Sequence, residues 1–325
     1  MNRLWRLLRC IAAIACIAAP LPAFAQSWPA KPIHIVVAVP PGGAADVTLR
    51  LAAPKMSEAF GQPIVIENRA GAGGILGSQA VARAKPDGYN LLFATPSSQI
   101  TVVFLSRNVP FDPARDFTPI TAAVEPVTTL IVNPAIKANT LRELIDYARR
   151  NPGRLSYGSP GIGSVFNLTG EAFKMAAGVE IVHVPYKGAI LAVNDVASGQ
   201  IEMTFSALSN IRSYLSGGRV RLLAVMESAR YPGLPNVPTV GETVPGFEKP
   251  ASWFGLFGPA GLPESVVAPL HDEMVKALNA PDVRPKLNEL GLKVIGNTPE
   301  EFAAMIRTGI DQYGRLVKAA GLKPE

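Results

Sequence analysis

Ile33 to Val39 is a run of β-branched and apolar residues broken only by His34, and it ends at Pro40-Pro41-Gly42-Gly43. A run without polar alternation reads as a strand buried on both faces, the kind found in parallel sheets under helical cover. A helical pattern follows from about Asp46 to Phe60 and stops at Gly61. The unit of strand, glycine-rich loop and helix returns in the second half. Leu155–Ser159 reads as a strand, Pro160-Gly161-Ile162-Gly163-Ser164 as the loop, and Val165–Ala177 as the helix, which Ser164 is suited to cap.

Between and after these units the alternation continues. Ile64–Asn68 and Leu91–Ala94 read as strands, with Gly71–Gly74 leading into a helix near Ile75–Ala84. After about residue 125 it restarts. Thr140 with Glu143 predicts a capping box for a helix over Leu141–Arg150. Ile181–Val184, Ile201–Ser206, Arg221–Met226 and Phe254–Phe257 read as strands, and Glu264–Asn279 and Glu300–Ala319 as amphipathic helices. The Pro-rich stretch from Tyr231 to Pro250 is long for a loop and is expected to run along the surface. This pattern predicts an α/β chain: parallel sheets with helices on both faces, in two lobes.

The amino end constrains where such a chain works. Arg3, Arg6 and Arg9 precede an apolar run from Cys10 to about Ala19, and Ala23 and Ala25 fit the A-x-A rule, so residues 1–25 read as a signal peptide cleaved after Ala25. The run falls short of the roughly 20 residues a membrane span needs. A lipoprotein signal ending at Cys16 is the competing reading, weakened by the lack of leucine in Ala13-Ile14-Ala15. Cleavage removes both cysteines, so the 300 residues left of the 325 must fold on an apolar core alone. A chain of that length buries roughly three quarters of its unfolded surface. The net charge of +6 falls to +3, 28 basic residues against 25 acidic, too mild a balance to argue for nucleic acid.

The two glycine loops carry the chemical argument. At a helix amino end the first N–H groups have no intrahelical partner, and the helix dipole adds partial positive charge, so a glycine turn ahead of a helix makes an anion site. Two such loops facing each other suit an anion held from both sides. Ordinary βα turns use the same glycines for geometry, and spacing alone leaves both readings open.

The chain resembles the Bug family, the TctC-type receptors of tripartite tricarboxylate transporters, from about Trp28 to its end. The resemblance is carried by Pro41-Gly42-Gly43-Ala44-Ala45-Asp46, Val65-Ile66-Glu67-Asn68-Arg69-Ala70-Gly71-Ala72-Gly73-Gly74, Lys85-Pro86-Asp87-Gly88-Tyr89, Tyr157 to Ser164, Val184-Pro185-Tyr186-Lys187-Gly188 and Leu234 to Val240. It implies a type II periplasmic-binding-protein fold, with a cleft between lobe 1 (26–125 and 253–325) and lobe 2 (126–252). It implies a periplasmic receptor for a small organic carboxylate, with a two-component membrane permease as partner, or an orphan sensor without one, and expected to be a monomer. No cofactor or metal is expected.

The residues the resemblance assigns to the ligand are Pro41, Gly42, Gly43, Ala44, Ala45 and Asp46 in the first loop and Ser159, Pro160, Gly161, Gly163 and Ser164 in the second. Thr95 and Ser97 add hydroxyls, and Tyr186, Lys187 and Ser206 line the other wall. Two departures stand out. Asn167-Leu168 replaces a frequent His-Leu, and Ile190 and Leu191 stand where small residues are usual. If these side chains face the pocket, the ligand is expected to have an apolar or aromatic part.

Each of these residues also has a plainer role. Asp46 is better suited to order its loop or cap the helix than to touch a ligand. Lys187 is as well suited to solvent as to a carboxylate. Tyr186 can pack its loop, Glu67 and Arg69 can pair to fix theirs, and Trp253 reads as core. His34 reads as an internal, satisfied histidine. An enzyme is the alternative class, but no G-x-S-x-G elbow, H-E-x-x-H pair, Cys/His zinc set or Walker lysine occurs, and Gly71 to Gly77 misses the dinucleotide spacing by one.

Overall fold

Strand β1 (Ile33–Val37) lies between β2 (Ile64–Asn68) and β3 (Asn90–Ala94), parallel to both, with Ile35 opposite Ile66 on one side and Leu91 on the other. The computed structural model describes residues 28–324; the signal peptide read over residues 1–25 lies outside the described residues. From Lys31 on the chain clusters into one unit. Helix α1 (Ala44–Phe60) follows β1 and ends at Gly61 in the left-handed conformation, and α2 (Ile75–Ala82) connects β2 to β3. A π-turn, Ser97–Thr101, and the short α3 (Val102–Leu105) follow β3.

β4 (Phe117–Pro126) is a ten-residue strand. A single residue, Val127, separates it from β5 (Thr128–Val132), which belongs to a second sheet. The second sheet is completed by β6 (Ser156–Ser159), β7 (Val182–Pro185), β8 (Met203–Ala207) and β9 (Arg221–Val225). Its helices are α4 (Leu141–Arg150), α5 (Val165–Ala177), α6 (Ala189–Ser198) and α7 (Leu208–Ser216). The chain then returns to the first sheet with β10 (Phe254–Pro259), α8 (Glu264–Asn279), α9 (Arg284–Glu289), β11 (Leu292–Val294) and α10 (Pro299–Ala319). The strand orders are β11-β4-β10-β3-β1-β2 and β7-β6-β8-β5-β9.

The sheets are mixed, which corrects the all-parallel expectation. β10 enters antiparallel between β3 and β4, and β5 runs antiparallel to β8 and β9. Burial on both faces produces the same unbroken apolar run whichever way a neighbour points, so the run could not report direction. Each sheet has its own core. Phe257, Trp253, Phe302 and Tyr313 pack in the first, and Tyr157, Phe173 and Phe205 in the second.

Three further readings change. His34 is exposed, in a row with Val65 and Asn90 that is also exposed, because this end of the sheet face carries no cover. Thr140 accepts the Glu143 N–H at 3.2 Å as expected, but the Glu143 carboxylate takes the N–H of Asn139 at 2.7 Å, so the box is only half made. The Pro-rich return is no bare surface loop. Its Thr239 and Glu242 form a full capping box, and Val240 and Val244 are buried in the second core.

Candidate functional site

A cavity of about 930 Å³ lies between the two sheets, at the carboxyl ends of β1, β3, β6 and β8. The amino ends of five helices meet it. The N-cap residues Gly43 (α1), Gly74 (α2), Ser164 (α5), Gly188 (α6) and Ala207 (α7) all line the wall. Four of these, all but Ser164, place no side-chain cap on their helix. The first N–H groups of α2 and α7 bond within the protein, Ile75 to Ala72 O and Leu208 to Val127 O, while those of α1 and α6 remain available to something in the cavity. Among the described residues no acidic side chain lines the wall, and its cationic side chains are Lys187 and Lys323, both exposed. A cavity with that polarity attracts an anion and binds it through backbone dipoles.

The first loop is held by Asp46. Helix α1 begins two residues earlier than its periodicity predicts, so Asp46 stands in the first turn and not at the cap. Its carboxylate is buried and accepts from the Gly42 N–H and Arg50 Nε, each at 2.9 Å, and from Asn68 Nδ2 at 3.0 Å. Burial pushes its pKa up, but the bonds from Arg50, Gly42 and Asn68 outweigh this and hold it below the usual carboxylate value. The neighbouring loop is fixed by the Glu67–Arg69 pair at 2.6 Å, as its sequence suggested. Gly74 has a positive φ, and a Cβ there would lie 2.3 Å from the Ser98 side chain, so this close approach of two loops requires glycine.

The second loop is held from behind by a buried polar chain. Ser164 caps α5 by accepting the Asn167 N–H at 3.2 Å. The Asn167 side chain accepts from the Gly163 N–H at 2.9 Å and donates to the Tyr157 hydroxyl, which donates to Glu171 at 2.6 Å. Asn167 is buried and points away from the cavity, so it does not set the ligand's surroundings as its departure from the family pattern suggested. Ser159 accepts the Gly161 N–H and lies 2.7 Å from His183 Nε2. Burial, helped by Lys174 against Glu171, pushes the His183 pKa below its usual value.

Of the residues assigned from sequence, Pro41, Gly43, Ala44, Ala45, Thr95, Ser97, Pro160, Gly163, Ser164, Tyr186 and Lys187 line this one cavity, from both sheets. Asp46, Ser159 and Ser206 are buried behind it, while Gly42, which is exposed, and Gly161, which is half-buried, are loop residues outside its lining. Ser206 is buried and its hydroxyl accepts from Asn210, which does line the wall. The Tyr186 hydroxyl donates to Asp195 at 2.8 Å, and burial together with Asp195 pushes its pKa up to about 12.

Sequence reasoning put Gly188 and Ala207 beside the wall and a helix after Gly74, but it missed that α6 and α7 begin there and that α2 starts at the cavity, and it missed the wall residues Thr101, Leu105, Phe166, Asn210 and Lys323. The α6 start had a signal, since Gly188 opens ten residues that Gly199 closes in the left-handed conformation. Lys323 had none, because a tail's course depends on tertiary packing.

Two sheet-centred lobes, strands ending at a shared cleft and helix amino ends turned into it define a solute-binding protein of the two-lobed α/β class. Comparison with known proteins carries this to a family. Residues 48–322 match the model of the tripartite tricarboxylate transporter family receptor, TctC, and the chain belongs to that family. A protein of Pseudomonas sp. strain P51, described from the tcbD-tcbE intergenic region, is 39% identical over 90% of this chain and 87% of its own length. Protein BugT of Bordetella pertussis is 31% identical over 99% of each chain. Among solved structures, R. palustris Rpa4515 with adipate superposes with a TM-score of 0.86 at 35% identity, covering 92% of this chain and all of that one. MatC from Rhodopseudomonas palustris with bound malate gives 0.81 at 31% identity, over 89% and 100% of the two chains. The family is one of receptors.

Proposed function

We propose that this protein is a periplasmic receptor that captures a small organic carboxylate in the cleft and delivers it to a two-component membrane permease. The observation that carries this is the meeting of five helix amino ends on a cavity whose wall, among the described residues, has no acidic side chain. The neighbours that hold adipate and malate support the ligand class. The ligand contacts Gly43, Ala44, Ala45, Thr95, Ser97, Gly163, Ser164 and Lys187, while Asp46 and Ser159 shape the loops. Ile162, Ile190 and Leu191 line the cavity at 45%, 39% and 48% exposure, which supports an acid with an apolar or aromatic part.

In this reading the leader is cleaved after Ala25, and the monomeric receptor does no chemistry of its own. Lobe 1 comprises residues 26–125 and 253–325, and lobe 2 residues 126–252. They close about Val127 and the return segment before β10. A ligand favours closure only by its extra contacts in the closed form. A thermal-shift screen of the protein, exported with its own leader and purified, tests the reading against mono-, di- and tricarboxylates, aromatic acids and their matched amides. A ligand at a hundredfold excess over its Kd stabilises the fold by about 2.7 kcal/mol. Shifts with acids and none with amides support it; shifts with amides alone refute it.

A further inference from the structure

The two sheets touch along one edge of the cavity, through residues that also line it. The Val165 N–H, first in α5, donates to Ser97 Oγ at 3.2 Å, from a helix of the second sheet to a turn that follows β3 of the first. Beside this bond, Gly163 sits against the same segment. A Cβ on Gly163 would lie 2.3 Å from Leu105 Cδ1 and 3.0 Å from Thr101 Cγ2, and its φ is +73°. Below it, Val165 and Leu168 pack into the first sheet's core cluster with Leu105, Ile306 and Val317. Hydrogen bond, steric fit and apolar packing thus coincide on one seam, between the amino end of α5 and the π-turn with α3. π-turns recur at functional positions in helices.

We propose that this seam sets the distance between the two glycine loops, with Ser97 as its positioning residue and Gly163 as the point of closest approach. Gly163 and Ser164 belong to the second loop, so whatever fixes Gly163 against Leu105 fixes where that loop stands relative to Gly43 and Ala44. The gap decides what length of carboxylate reaches both loops at once. The Ser97 hydroxyl keeps its own proton while it accepts from Val165, so it can donate into the cavity it lines. The seam rests on the receptor reading only for this consequence; the contact itself is independent of any ligand.

Amide hydrogen exchange measured by NMR on the exported, purified protein reads the seam directly. As the first residue of its helix, Val165 has no intrahelical acceptor for its N–H, so its protection depends on Ser97. Ser97→Ala is expected to speed Val165 exchange at least tenfold while Asn167, bonded to Ser164, is unchanged. Ser97→Thr keeps the hydroxyl and is expected to restore wild-type exchange. Gly163→Ala is expected to raise the radius of gyration in small-angle scattering, and adding Leu105→Ala is expected to bring it back. Unchanged Val165 exchange in Ser97→Ala, or failure of Ser97→Thr to restore it, overturns the proposal. Should Gly163→Ala fail to fold, the exchange result decides alone. A protein that ignores every carboxylate yet shows this exchange pattern would refute the receptor reading and keep the seam.

Discussion

Lys249 Nζ lies 2.6 Å from Glu227 Oε1 and 3.0 Å from Glu125 Oε1, so one ammonium holds a carboxylate from each sheet beside the crossing at Val127. Glu125 is in β4 and Glu227 follows β9. The Lys249 backbone is tied to α10, since its carbonyl accepts from Gln312. Glu227 also accepts the Thr128 N–H at 3.0 Å, at the start of β5. Val127 itself donates to Gly291 O and accepts from Leu208 N–H, one partner on each side. The chain crosses between the sheets here beside one lysine whose side chain is 10% exposed.

Removing that lysine leaves a buried carboxylate without its partner. Lys249→Met is expected to lower unfolding stability by about 3–5 kcal/mol. The double change Lys249→Met with Glu227→Gln is expected to cost less than the single one, because no uncompensated charge remains. Urea unfolding of the three proteins reads this, and equal losses for single and double changes would contradict it.

Asp46 orders the first loop through three bonds, so Asp46→Asn is expected to cost about 1.5–3 kcal/mol at neutral pH, the worth of hydrogen bonds to a charged group. Its folded pKa lies below the ordinary value of 3.8, so its contribution is present above that value and disappears as pH falls through the folded pKa. The variant should therefore differ from wild type at pH 7 and converge with it in strong acid. Urea midpoints from pH 7 to pH 2 check both the size and the convergence.

His183 has the opposite charge type and the same sign. Burial lowers its folded pKa below the ordinary value of 6.5, so the unfolded chain binds the proton first. Its contribution is present above pH 6.5 and is lost as pH falls toward the folded pKa. His183→Gln is expected to flatten the stability profile below pH 6.5 in the same urea series. A wild-type profile that stays flat between pH 7 and pH 5 would contradict it.

Ile190 stands in the first turn of α6 at the cavity wall and is 39% exposed. Ile190→Asp adds a carboxylate where the account places an anion. Near a helix amino end it should leave stability unchanged or raise it by about 0.3–1 kcal/mol. Like charges 4 Å apart near a protein surface repel by about 4 kcal/mol. Carboxylate affinity by calorimetry is therefore expected to fall more than tenfold in a protein that melts no lower than wild type.

The strands β1 to β3 and the Ser164 cap were legible because their signals are local: unbroken apolar runs, a glycine stop, a hydroxyl three residues before its amide. The two glycine loops at Gly43 and Ser164 followed for the same reason. β4 and β5 were not seen, because Val127 divides one extended stretch between two sheets and nothing local marks the break. The direction of β10 and the exposure of His34 depend on neighbours distant in sequence. The wall residues Leu105 and Lys323 reach the cavity only through tertiary packing. What was missed belongs to the contact between the sheets, where no periodicity acts.

The most direct test is a crystal structure of the protein with the carboxylate that gives the largest thermal shift. Carboxylate oxygens are expected within hydrogen-bond distance of backbone N–H groups from both α1, at Gly43 to Ala45, and α5, at Phe166, since Ser164 and Val165 already donate to Gly161 and Ser97. A carboxylate held by Lys187 or Lys323 alone, with the helix amino ends turned to water, would contradict it.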